Sequence, residues 1–509
     1  MSNNSASNKR IAKNTLFLYF RSIFLILITL YTSRVILQSL GVRDFGIYNV
    51  VGGVVAMFSM LSGSMQTATQ RFLTFALGKN DFTNLKKVFM TSISIHIALG
   101  AILVVLLEVV GTWFLYNKMN IPDERVDIAF WVLQFSIATL FVNVISVPYN
   151  AAIIAHEKMA TFAYISILDG LLKLGIAFAI VYTPYDRLIM YALLMFGLSL
   201  LNRILYTMYS HRHFEETQHV KLGIEKGLFQ EMFSFAGWNL FGSGSKLLRN
   251  QGVDILLNMF FGVTVNAAKG LSNQVHHAVY QFITNFQTAV NPQLTMSVAQ
   301  TDYKRTHTLI IQGSRFSFYL MCLMSIPLII VTPQVLSIWL TEVPEYTVEF
   351  VRWTLVYLLW DTLSRFLINA ILAYGKIKTY QIVAGGTKFL VLPVAYIWLK
   401  LGGSPMVGIW ANIILEIVCL ILRLYFNHLY NGLSWYSYFG KVILRCWIVF
   451  SIALFGSLYI QTLLPGNFVI ILSSTLLITC TTITFVGMGR SERGLVAGKF
   501  SSILSKYSR

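Results

Sequence analysis

Two cations one turn apart in an otherwise apolar stretch are the strongest chemical signal in this chain. The segment 237–262, GWNLFGSGSKLLRNQGVDILLNMFFG, is long enough to cross a bilayer, for which about 20 helical residues suffice. Its middle nevertheless carries Lys246, Arg249 and Asn250. A cation placed in hydrocarbon costs between about 2.5 and 17 kcal/mol, depending on the reference state. Such a residue persists when it snorkels, pairs or faces water. Lys246 and Arg249 sit half a span from either end, so snorkelling is difficult, and their i, i+3 spacing puts them on one helix face. The pattern predicts one wall of a water-filled, cationic cavity. Arg21 lies about 12 Å into the first apolar helix at 1.5 Å per residue, and it joins Arg34, Lys269 and His276 as a candidate anion-binding group. His277 follows His276 directly and points another way, so one of the two at most faces the cavity. Guanidinium groups bind anionic oxygens bidentately and stay protonated, which suits them to an anionic cargo.

Acids are scarce around these cations. Asp254 is the one acid in the interior of the three apolar segments that carry these cations, and Glu108 sits on another helix; both are candidates for ion or proton coupling. Other intramembrane charges read as structural. Asp169 with Lys173 and Asp361 with Arg365 are i, i+4 pairs, and Lys388 and Glu416 fall mid-span on consecutive helices, where they are expected to pair.

The helices that must position these groups follow from hydropathy. The 509 residues are 56% hydrophobic and 12% charged, against about 25% charged for a soluble protein. The chain reads as an all-α, polytopic membrane protein with about fourteen spans, roughly 13–38, 46–77, 85–116, 127–154, 160–182, 186–210, 231–261, 266–298, 308–332, 346–374, 379–399, 405–428, 440–461 and 467–488. Lysines and arginines concentrate at the N-terminus, near 79–87, 158, 212–226, 304–305, 376–378 and 441, and in the tail, while the alternate loops hold few; by the positive-inside rule both termini are cytoplasmic. That distribution accounts for the net charge of +18 without nucleic acid. The sequence organises as an N-terminal lobe over 1–210, a cytoplasmic linker over 211–230, a C-terminal lobe over 231–430, and two appended helices with a basic tail over 431–509. The four cysteines lie in apolar segments without metal or disulfide spacing. GSGSK at 242–246 lacks the phosphate-loop spacing, and His156-Glu157 lacks the second histidine of the zinc motif, so neither an ATPase nor a metalloenzyme is expected, and no cofactor.

A weak internal repeat runs at a constant offset of 221 residues. Gln66-Thr67-Ala68 falls on Gln287-Thr288-Ala289, Leu73-Thr74 on Leu294-Thr295, Gly41-Val42 on Gly262-Val263 and Asp81-Phe82 on Asp302-Tyr303. The copies run in the same direction, a parallel repeat about an axis normal to the membrane.

With Gly41, Asp44, Phe45, Gly46, Tyr48 and Asn49, and then Ala68-Thr69-Gln70-Arg71-Phe72, the chain resembles the polysaccharide (O-antigen, lipid-linked oligosaccharide) flippases of the multidrug/oligosaccharidyl-lipid/polysaccharide exporter superfamily. The resemblance implies two six-helix lobes in a V and a cavity lined by helices one, two, seven and eight. It implies alternating access, with undecaprenyl-pyrophosphate-linked glycan as cargo moved from the cytoplasmic to the outer leaflet of a bacterial inner membrane. A polysaccharide polymerase and assembly proteins are the expected partners, and a monomer the expected state. Multidrug cation antiporters share the superfamily, and the lipid II flippases share the two extra helices; both remain alternatives. An organic cation would call for acids in the cavity, and helix one has none.

Overall fold

The computed structural model describes residues 2–117, 121–218, 222–261, 263–340, 343–463, 468–489 and 492–494; within the helices some side chains, those of Arg34 and Lys246 among them, lie outside that description. Every regular element among the described residues is helical. Ser2–Gly78 runs as one helical stretch broken at Gly41, whose backbone stands at φ 78 and ψ 167. Only glycine adopts that region without strain. The break separates α1 (2–40) from α2 (42–78).

The remaining helices are α3 Phe82–Asn117, α4 Asp123–Ala155, α5 Met159–Ala179, α6 Arg187–His213, α7 Lys226–Phe261, α8 Val263–Ala299, α9 Tyr303–Trp339, α10 Thr347–Tyr374, α11 Lys378–Lys400, α12 Val407–Asn431, α13 Trp435–Leu463 and α14 Phe468–Gly487. Among the described residues a helix stands at each of the fourteen expected positions. Ten are long and apolar enough to cross a membrane by length and composition; among the described residues α1, α2, α7 and α8 do not reach that standard, and these are the helices that the resemblance implies line the cavity. The protein is a multi-pass membrane protein. Pro327 and Pro333 flank a bend at Val331 in α9, where the lost amide donors loosen the helix.

The repeat read from the sequence reappears as geometry. Asn80 and Thr301, 221 residues apart, both take positive φ, 54 and 55. Asp81 N donates to Ala76 O at 3.1 Å, and Asp302 N to Ser297 O at 2.9 Å. A left-handed β-branched residue is rare. Its occurrence at Thr301 marks a turn imposed by the fold rather than preferred by the residue.

Packing divides the chain into two compact units. The first holds residues 1–241, 288–302 and 373–378; the second holds 242–287, 303–372 and 379–509. In the first, the break at Gly41 is flanked by a partly exposed ion network. Arg125 at the start of α4 pairs with Asp44 at 3.0 Å and with Asp186 at 2.5 Å. Asp186 also caps α6, accepting from Leu188 N and Ile189 N, and Arg187 donates to Ser39 O at 3.0 Å. Asp44, one of the residues carrying the family resemblance, thus helps to hold the α1–α2 corner.

In the second unit the appended helices pack onto α9. Phe318 and Trp447 meet edge to face with centroids 5.7 Å apart, and Tyr319 donates to Gly487 O at 2.8 Å. Ile330 and Val331 bury against Ile471, which seats α14 on the bent part of α9.

Candidate functional site

The second unit collects a polar cluster from five helices in an otherwise apolar bundle. Helix α7 supplies Arg249, Asn250 and Asp254. Arg249 is only 3% exposed, and among the described residues its guanidinium hydrogen-bonds to the neighbouring Asn250 Oδ1, at 3.2 Å from Nη2. Helix α8 supplies Lys269, which donates to Asn273 Oδ1 at 2.9 Å one turn on. Asp254 and Arg249 both lie within electrostatic reach of Lys269. His276 stacks on Tyr280 at 5.6 Å and 18°, and on Tyr357 of α10 at 6.5 Å and 22°. His277 is exposed, so the two adjacent histidines do face differently.

Two arginines in the same cluster are neutralised. Arg365 grips Asp361 bidentately, with Nε–Oδ2 at 2.7 Å and Nη2–Oδ1 at 2.8 Å, and its guanidinium lies 5.0 Å from the Tyr280 ring. Arg423 pairs with Glu416 two turns earlier on α12, both side chains almost wholly buried, and its Nε also reaches Tyr380 Oη at 3.3 Å. The expected Lys388–Glu416 pair is therefore replaced: Glu416 turns to Arg423, which shares its helix face. Lys388 remains in the electrostatic neighbourhood of Arg423, Glu416 and Arg249.

Among the described residues the cluster thus holds five cations, Arg249, Lys269, Arg365, Lys388 and Arg423, and three acids, Asp254, Asp361 and Glu416. Two of the acids are committed to arginines. Among the described residues Arg249, Lys269 and Lys388 form no ion pair, and Asp254 Oδ1 has no hydrogen-bond partner. A buried excess of positive charge is costly unless an anion relieves it. Chemically, the arrangement suits binding of an anionic group.

The other expected site residues fall in the first unit or outside the described residues. Arg21 lies on α1 with its guanidinium 4.7 Å from the Phe162 ring of α5. Glu108 of α3, a candidate coupling acid, accepts a 3.0 Å bond from Gln134 Nε2 of α4, a contact between helices that helical spacing does not disclose. The side chains of Arg34 and Lys246 lie outside the described residues. Arg71, one of the residues carrying the resemblance, is enclosed: Nε donates to Ala373 O at 3.1 Å, and Phe72, Phe75 and Phe235 surround it at 4.8–5.4 Å. The Asp169–Lys173 pair forms at 2.7 Å as its spacing indicates. Sequence reasoning missed Arg423; the signal was its seven-residue distance from Glu416, two turns along one face. Among the described residues no group of three or more His, Cys, Asp or Glu side chains is arranged to hold a metal.

No family model matches the chain, and no curated protein matches it. Solved structures do. A MATE mutant aligns with TM-score 0.74 at 12% identity, covering 84% of this chain and 97% of its own. An outward-facing multidrug resistance MATE family transporter of the MOP superfamily gives 0.72 at 12% identity, with 84% and 97% covered. A MOP superfamily transporter from Pyrococcus furiosus, whose binding pocket is described as reversed in polarity and suggestive of a different function, gives 0.71 at 12% identity, with 84% and 96% covered. The chain has the polytopic, two-lobed MATE-like fold, extended beyond the length of these structures.

Proposed function

We propose that this chain is a transporter of an anionic amphiphile, most specifically a polyprenyl-pyrophosphate-linked oligosaccharide carried across a bacterial inner membrane by alternating access. The observation that supports this reading is the charge of the second unit's cluster, where among the described residues Arg249, Lys269 and Lys388 lack ion pairs and Asp254 alone is left to offset them. A pyrophosphate offers several anionic oxygens to such groups at once, and each charge-assisted contact contributes about 1.5–3 kcal/mol. Lys246 and Arg34 are proposed to add to the same recognition on the strength of their positions in the sequence. The polymerase and assembly partners, the cytoplasmic termini and the monomeric state belong to the same proposal.

Drug export is the second reading, and the fold comparison by itself favours it, since the solved structures of like fold include a multidrug resistance transporter. The Pyrococcus furiosus structure supports the view that the fold accommodates a pocket of reversed polarity with a changed function. Purified protein in proteoliposomes distinguishes the two. Under our reading, lipid-linked pyrophosphate oligosaccharide is translocated and quenches binding of a pyrophosphate analogue, while organic cations are inert. Uptake of organic cations with no movement of the lipid-linked glycan would establish the exporter instead.

A further inference from the structure

A second cationic site lies away from this cluster, at the helix ends bearing Lys304 and Lys441. The start of α9, the α12–α13 connection and the first turns of α13 enclose a cavity of about 400 Å³, within the range of about 300–1,000 Å³ usual for small-molecule pockets. Lys304, His307, Arg315 and Lys441 line it, and no acid among the described residues does. Arg315 is buried and engaged: it meets Glu492 at 2.9 Å and donates to Gly487 O at 2.7 Å. His307 is anchored by donating Nε2–H to Asn431 O at 2.9 Å. Lys304 and Lys441, both exposed, form no ion pair among the described residues. Ser434, which caps the start of α13 by accepting from Ser437 N, adds a hydroxyl to the lining.

The surroundings favour a lipid. Ser437 and Lys441 line the pocket, while Tyr436, Phe439 and Leu444 on the same stretch of α13 are exposed, Tyr436 by 93%. Basic groups beside exposed aromatic and aliphatic side chains match a headgroup with its glycerol and acyl chains alongside. The loop-charge pattern assigns this helix end to the cytoplasmic face, where anionic lipids are recognised by basic pockets between helices.

We propose that this pocket binds a phosphodiester anion, the headgroup of an anionic membrane phospholipid, and so ties the appended helices to the leaflet. The test follows thermal unfolding of the full chain in neutral detergent titrated with phosphatidylglycerol, phosphatidylcholine or inorganic phosphate. Phosphatidylglycerol is expected to stabilise the protein saturably, and phosphatidylcholine is not. In Lys304→Gln/Lys441→Gln the apparent affinity should fall by about thirtyfold, the effect of two lysines at an anionic surface. Lys304→Arg/Lys441→Arg should retain it, and Lys86→Gln/Lys87→Gln, which removes two cations elsewhere, should leave it unchanged. An unaltered phosphatidylglycerol titration in the glutamine pair overturns the site. Protection by inorganic phosphate with none by phosphatidylglycerol overturns the lipid assignment and gives the pocket to a soluble anion.

Discussion

Arg249 and Arg423 are both buried arginines of the second unit, and their partners separate their roles. Arg423 has a carboxylate, and removing it strands Glu416 in an apolar bundle. Loss of one member of a buried pair costs about 3–5 kcal/mol. Arg423→Leu should therefore lower the unfolding midpoint of detergent-solubilised protein sharply, and Arg423→Leu/Glu416→Leu should recover much of the loss. Arg249 forms no ion pair among the described residues and hydrogen-bonds to the Asn250 side chain. Arg249→Ala should leave stability near wild type or raise it, while weakening cargo binding by about 1.5–3 kcal/mol; the double variant with Lys388→Ala should be close to inactive. Equal stability losses in Arg249→Ala and Arg423→Leu would remove the functional distinction. The two candidate coupling acids differ in the same way. Glu108 accepts from Gln134, whereas Asp254 faces a cationic neighbourhood with one oxygen unbonded. With imposed proton or sodium gradients across proteoliposomes, Asp254→Asn is expected to change gradient dependence and Glu108→Gln to preserve it. Unchanged behaviour in Asp254→Asn would leave that residue a purely local counter-charge.

At the scale of elements, the break between α1 and α2 depends on one residue. A Cβ at Gly41 would meet nothing within 4 Å, so substitution there acts through backbone strain and not through a clash. Gly41→Ala is expected to destabilise by about 1–3 kcal/mol, the usual cost of holding a non-glycine residue in a region reserved for glycine. Thermal unfolding checks it, and an unchanged midpoint would mean that the corner relaxes to ordinary φ. Gly375 is a different case. It also has positive φ, but a Cβ there would run into the Arg71 guanidinium, so Gly375→Ala combines strain with displacement of a buried cation. It should be the more damaging of the two.

The whole molecule carries the topological prediction. With both termini and the 211–230 connection on the basic-loop side, single cysteines introduced at Lys226 and at Tyr182 should react with a membrane-impermeant thiol reagent from opposite faces. Wild-type Cys480 is exposed and must be removed first; Cys322, Cys419 and Cys446 are buried and free. Labelling of both introduced cysteines from the same face would invalidate the loop-charge orientation. The fold match covers nearly all of each MATE-like structure but 84% of this chain. The excess length makes the appended helices a feature to test by truncation. Deletion from Trp435 onward would expose the α9 face that carries Phe318 and Tyr319, and should cost stability as well as the proposed lipid site.

Helices α1 to α14 and the Asp169–Lys173 and Asp361–Arg365 pairs are legible in the amino-acid sequence, because they depend on interactions within a few turns of chain; the residue repeat at offset 221 is legible too, but the left-handed turn at Asn80 and Thr301 is not. Hydropathy, i, i+4 spacing and a shared register record such interactions directly. The excess of cations over acids is also plain from residue types along α7 and α8. Which acid answers which cation is not. Glu416 has Lys388 on the preceding helix and Arg423 two turns along its own, and packing of α11 against α12 selects Arg423. Glu108 finds Gln134 only because α3 and α4 lie side by side at that depth. Arg71 is closed in by rings from α2 and α7 and a carbonyl at residue 373. Coulomb and hydrogen-bond energies depend on separations of a few ångströms between helices, and those are set by each helix's rotation and depth in the bundle. One-dimensional periodicity identifies the residues on a helix face; the neighbour that face meets is decided by tertiary packing.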